Sequence, residues 1–114
     1  MTADVPPDLP LTEVSELLIQ RKVSPVELTQ SCLDRIESAN GQVNALVFVD
    51  PETAIAQATQ AQQRYALRRP FGLLDGLPIV VKDNIAVSGW PMTNGLAVQR
   101  TSTADADIVS RLRR

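Results

Sequence analysis

Gly72-Leu73-Leu74-Asp75-Gly76-Leu77-Pro78-Ile79-Val80-Val81-Lys82-Asp83-Asn84-Ile85 is the stretch on which the reading of this chain turns. It opens as a turn: Gly72 and the Asp75-Gly76 pair tolerate positive φ, and Pro78 fixes φ near −65°. Ile79-Val80-Val81 follows, a short apolar run bounded by turn signals, which predicts a strand buried on both faces. An ammonium, a carboxylate and an amide come next, at Lys82, Asp83 and Asn84. In α/β proteins, chemistry gathers at the carboxyl ends of buried strands. Lys82 has two readings. It is a strand-end lysine that reaches solvent or pairs with Asp83. Or it sits in a dry pocket, where desolvation favours the neutral amine and lets it act as a base. Spacing alone leaves both open.

Composition narrows the classes of function. At 114 residues there is room for one domain with a modest core. Apolar residues make up 44%, enough to fold rather than stay disordered. The net charge of −2 and the 4% aromatic content give neither a basic footprint nor a base-stacking platform, so no nucleic-acid partner is expected. No run approaches the roughly 20 apolar residues that cross a bilayer, so no membrane partner is expected either. The single cysteine, Cys32, excludes an intrachain disulfide and fits a reducing, cytoplasmic setting. The chain contains no histidine, which rules out a Ser-His-Asp triad or a histidine-ligated zinc site built from its own residues. No cofactor and no metal are expected.

Upstream of the central stretch the punctuation is clear. Residues 1–10, with Pro6, Pro7 and Pro10, read as an extended arm. Thr12 is the expected N-cap of a helix over Glu13 to Lys22. Ser24, Pro25 and Glu27 spell a capping box with proline at the first helical position. Leu28, Cys32, Leu33 and Ile36 line one face of that second helix, and Gly41 is expected to end it in the left-handed region. Ala45-Leu46-Val47-Phe48-Val49 predicts a strand. Asp50-Pro51-Glu52 starts a third helix, expected to run to about Arg68, with a small inner face of Ala54, Ala58 and Ala61 and with Ile55 and Tyr65 at its edges. Downstream, Ser88-Gly89-Trp90-Pro91 and Asn94-Gly95 mark loops. A last helix follows, capped by Thr103 or Asp105, with Ile108, Val109 and Leu112 inward. The order of elements gives an α/β fold, with helices packed on a mixed β-sheet. With only two expected strands, sheet edges are left bare, which points to an incomplete fold.

The central stretch, with Gly89-Trp90-Pro91-Met92-Thr93-Asn94-Gly95 after it, resembles the front part of an amidase-signature enzyme. The match to G-x-L-x-G-[IL]-P-[IV]-x-[IV]-K-D-N-I is ungapped through Lys82. A looser match to G-x-P-T-T-x-G-S follows, in which Met92 replaces the first Thr and Leu96 the Ser. Fainter resemblance spans about Leu11 to Arg113. It implies that residues 11–114 are the N-terminal part of an amidase domain, truncated before its Gly/Ser-rich segment. It also implies hydrolysis of carboxamide C–N bonds by a Ser–cis-Ser–Lys triad, acting on a small-molecule amide. Lys82 matches the catalytic lysine, and Asp83, Asn84 and Gly95 are candidate supporting residues. No serine here matches the nucleophile. The partners expected are the missing C-terminal part of the domain or a second copy. The alternatives are a non-catalytic remnant or interaction module, and part of a glutamine-dependent amidotransferase subunit.

Overall fold

A computed structural model describes residues 9–114; most of the expected N-terminal arm lies outside them. The described chain forms two compact units, one ending at Pro78 and the other covering Ile79–Arg114.

The first unit is helical. Helix α1 spans Leu11–Ile19, α2 Pro25–Val43 and α3 Pro51–Ala66. The capping box forms as the sequence spells it. The Ser24 amide donates to Glu27 Oε2 at 2.9 Å, and the Glu27 amide to Ser24 Oγ at 3.1 Å. Asp50 caps α3 by accepting from the Thr53 amide at 3.0 Å. The alanine face of α3 is inward, with Ala58 and Ala61 buried, and small side chains there let α2 and α3 lie against each other. Leu18, Val23, Leu28 and Tyr65 form the core, with Val14, Leu17 and Leu77 packed on it. Tyr65 is thus a core residue rather than an edge residue.

Four helix boundaries differ from the expected ones. Helix α1 starts earlier, with Pro10 rather than Thr12 as N-cap, and the Glu13 and Val14 amides donate to the Pro10 carbonyl. Helix α1 also stops at Ile19, short of Lys22, and Arg21 beyond it turns left-handed. Helix α2 runs through Gly41 to Val43, and Asn44 takes the left-handed cap at φ 49°. Asn40 explains the extension. Its side chain donates to the Leu46 carbonyl at 2.8 Å and accepts from the Leu46 amide at 2.9 Å, holding the departing chain beyond the glycine. Helix α3 stops at Ala66, before Arg68.

The second unit is built on an antiparallel pair, β1 Pro91–Met92 with β2 Arg100–Thr101, in the register Pro91↔Thr101 and Met92↔Arg100. The pairing continues past the ladder: the Gly89 amide donates to Ser102 O at 2.8 Å and the Ala106 amide to Ala86 O at 2.9 Å. Helix α4, Asp107–Leu112, follows, with Val109 buried but Ile108 and Leu112 exposed. Neither Thr103 nor Asp105 caps it. Asp105 instead accepts from the Ser88 amide at 2.7 Å and pairs with Arg113 at 3.2 Å.

The two expected strands do not form. Residues 45–49 and 79–81 lie outside any ladder. Far from being buried on both faces, Ile79 is 55% and Val80 74% exposed. The reason is physical: an extended apolar run becomes a strand only when a neighbour satisfies its backbone, and the sheet of the described residues is the β1–β2 pair alone. The molecule is therefore helix-rich with a small antiparallel sheet.

Candidate functional site

The residues after Val81 close a tight turn, in which the Ile85 amide donates to the Lys82 carbonyl at 2.9 Å. Lys82 enters this turn with its side chain exposed. It makes no ion pair with Asp83, because that carboxylate is directed to Thr93. The Thr93 amide donates to Asp83 Oδ1 at 2.9 Å, and the Thr93 hydroxyl donates to Oδ2 in a short hydrogen bond. The same hydroxyl oxygen accepts from the Gly95 amide at 3.1 Å. Asn94 and Gly95 are both left-handed, at φ 53° and 77°, and this bend brings the Gly95 amide back onto Thr93.

These bonds tune the carboxylate. The Thr93 hydroxyl first, then the Thr93 amide, hold the Asp83 carboxyl below its ordinary range, with the Gly95 amide adding to them; burial opposes this. Asp83 is thus a fixed anion in the turn that carries Lys82. Of the sequence-derived candidates, Asp83 and Gly95 are brought together through Thr93. Asn84 lies exposed in the turn, outside that set of bonds. Thr93 is the residue that sequence reasoning missed as a site residue. Its signal was its place beside Asn94-Gly95, where a hydroxyl next to a left-handed pair can bond the folded-back backbone.

Residues 72–78 of the central stretch belong to the first unit. The Asp75 carboxylate accepts from Arg64 Nε at 2.8 Å, from Arg64 Nη2 at 2.6 Å and from the Phe71 amide at 2.9 Å, while the Tyr65 hydroxyl donates to the Asp75 carbonyl at 2.9 Å. The turn ahead of Ile79 is therefore fastened to the end of α3. Among the described residues, no group of three or more His, Cys, Asp or Glu could hold a metal ion, and no helix is long and apolar enough to cross a membrane. Cys32 is free and half-buried, and burial pushes its thiol up, away from the reactive thiolate.

The family model for amidases matches residues 27–114, which takes in the Lys82 turn and the Thr93–Gly95 bend. The chain belongs to the amidase family. A glutamyl-tRNA(Gln) amidotransferase subunit from Methylobacillus flagellatus is 39% identical over 103 residues, 89% of this amidase-family chain and 21% of that protein. The putative amidase AmiD of Mycobacterium bovis is 39% identical over 107 residues, 92% of this chain and 22% of AmiD. Among solved structures, a bacterial aryl acylamidase of the amidase signature family superposes with a TM-score of 0.80 at 26% identity, over 92% of this chain and 23% of that one. A second amidase crystal structure gives 0.81 at 30% identity, over 92% and 24%. The chain thus spans about a fifth of the length of the curated relatives it matches.

Proposed function

We propose that this chain supplies the proton-accepting lysine of an amide-cleaving site, and that residues 11–114 act as the N-terminal part of an amidase domain. The observation that carries the reading is the turn at Lys82. The family match runs through it, and a clamped carboxylate fixes the residue next to the lysine. Serine hydroxyls are poor nucleophiles until a base removes the proton. In this reading the neutral amine of Lys82 takes that proton, relayed through the second, cis-bonded serine of the triad. The attacking oxygen then adds to the carboxamide carbon, and the proton returns to the departing nitrogen. In this reading both serines come from the family's Gly/Ser-rich segment, and no serine of residues 1–114 is assigned to either role.

Lys82 is exposed in this chain, so the dry environment that favours a neutral amine has to come from the protein that covers it. The substrate is a small carboxamide, and the single thiol suits a reducing, cytoplasmic setting. A second reading is favoured by the likeness to the amidotransferase proteins: the same cleavage, performed on an amide donor within an amidotransferase of several subunits.

The test uses Lys82→Ala and Lys82→Arg in the amidase polypeptide that contains this chain. Turnover is expected to fall by about two to four orders of magnitude in both variants, the range of a lost general base. Near-normal turnover in the alanine variant would sink the assignment.

A further inference from the structure

We propose that Thr93 is the positioning residue of the site, locking Asp83 and, through it, the turn that presents Lys82. The inference rests on the reading of Lys82 as the base and adds to it a residue that does no chemistry itself. Three features carry it. Thr93 occupies both oxygens of one carboxylate, with its amide on Oδ1 and its hydroxyl on Oδ2. Its hydroxyl is itself held by the Gly95 amide at 3.1 Å, so the donor is oriented before it meets Asp83. The clamped residue lies inside the turn closed by the Ile85 amide and the Lys82 carbonyl, 2.9 Å apart. A carboxylate bonded on both oxygens cannot swing round to neutralise the adjacent ammonium. Thr93 therefore keeps Asp83 from capturing Lys82, and leaves the amine free to face a substrate and a nucleophile. Charge-assisted bonds of this kind are the strong ones, and they fix geometry as well as adding energy.

Side-chain chemistry separates Thr93 from a mere loop filler. Valine has the same shape and lacks only the donor and acceptor; serine keeps both and lacks only a methyl group. Hydrogen exchange in the full chain reads the clamp directly. Thr93→Val is expected to speed exchange of the Ile85 amide by about tenfold, the effect of losing one bond to a charged group, and Thr93→Ser to restore it. The Gly89 and Ala106 amides, bonded to Ser102 and Ala86 in the same unit, serve as controls. They keep their protection if Thr93 acts on the turn alone. Ile85 exchange that is unchanged in Thr93→Val, or that rises equally with Gly89 and Ala106, overturns the clamp.

Turnover supplies the second measurement, in the amidase polypeptide that contains this chain. Thr93→Val is expected to lower kcat about tenfold with KM unchanged, and Thr93→Ser to recover it, because the defect lies in the alignment of the base and not in substrate binding. Unchanged kcat in Thr93→Val beside an inactive Lys82→Ala enzyme overturns the positioning role alone. A fully active Lys82→Ala enzyme overturns the base assignment, while Ile85 exchange still reports separately on the clamp.

Discussion

Arg64 grips Asp75 through both carboxylate oxygens, Nε to Oδ2 at 2.8 Å and Nη2 to Oδ1 at 2.6 Å, while its guanidinium carbon lies 4.2 Å from the centre of the Phe71 ring. One side chain therefore joins α3 to the turn ahead of Ile79 by a forked ion pair and a cation–π contact. The Asp75 side chain is only 6% exposed, so removing its partner strands a carboxylate away from water. Arg64→Ala is expected to cost about 2–3 kcal/mol of unfolding free energy. Arg64→Lys recovers part of it, since an ammonium cannot make the forked contact. Urea denaturation midpoints check both variants; a lysine variant as stable as the parent would contradict the bidentate argument.

The pH dependence of stability follows from the clamped carboxylates. Arg64 first, against the opposing pull of burial, and then the Phe71 amide hold Asp75 below its ordinary range, as Thr93 holds Asp83. Glu27 and Asp50 are lowered by their helix-capping bonds to Ser24 and Thr53. A lowered folded pKa means that stability is fully present above the unfolded value, about 3.9 to 4.3, and is lost as the pH falls through the folded values. With no histidine in the chain, no side chain of ordinary pKa titrates between about pH 5 and 8. Melting temperature is expected to be flat across that interval and to drop below about pH 4. Asp75→Asn shallows the acid limb. A sharp loss of stability between pH 6 and 8 would refute this account.

Local chemistry was legible in the sequence, and pairing was not. Ser24, Pro25 and Glu27 announce their helix because a capping box is complete within four residues. Asp50-Pro51 and the Ala58–Ala61 face are equally self-contained. Ile79-Val80-Val81 fails as a strand for the opposite reason: β structure needs a neighbour that the run itself cannot specify. Gly41 misled because the helix end is set by Asn40 bonding Leu46 across six positions. At the candidate site, residue type and place mark Lys82 and Asp83 as candidates but leave the role of Lys82 open. The bond from Thr93 to Asp83 is not legible in the sequence, since it spans ten positions of loop.

Gly76 is the glycine of the central stretch that nothing else can replace. Its φ is +80°, and a Cβ there would stand 2.9 Å from Pro25 Cγ and 3.2 Å from Tyr65 Cε2. Pro25 is fully buried at the first position of α2, and Tyr65 is in the core, so neither can retreat cheaply. Gly76→Ala is expected to cost about 2–4 kcal/mol, from left-handed strain together with overpacking. Gly72→Ala, where a Cβ meets nothing within 4 Å, is the matched control and is expected to change stability by less than about 1 kcal/mol. Equal midpoints for the two variants would remove the close-approach argument.

Two arginines occupy helix ends built for glycine. After α1, the Lys22 amide donates to Leu17 O at 2.9 Å and the Arg21 amide to Leu18 O at 3.0 Å, with Arg21 at φ 57°. After α3 the same pattern recurs, Arg69 to Arg64 O at 2.9 Å and Arg68 to Tyr65 O at 3.0 Å, with Arg68 at φ 55°. Both are Schellman ends, whose left-handed position favours glycine because any Cβ there crowds the following carbonyl. The positive charge recovers part of that cost by facing the negative end of the helix dipole. Arg21→Gly and Arg68→Gly are each expected to raise stability by about 0.5–1 kcal/mol. The two gains should add, because the ends lie on different helices and share no bond. Raising the salt concentration should enlarge each gain, since screening removes the compensating dipole interaction and leaves the backbone strain. Denaturant midpoints of the two single variants and the double variant, at low and high salt, give the answer. A loss of stability in either single variant would show that the charge at the helix end outweighs the strain.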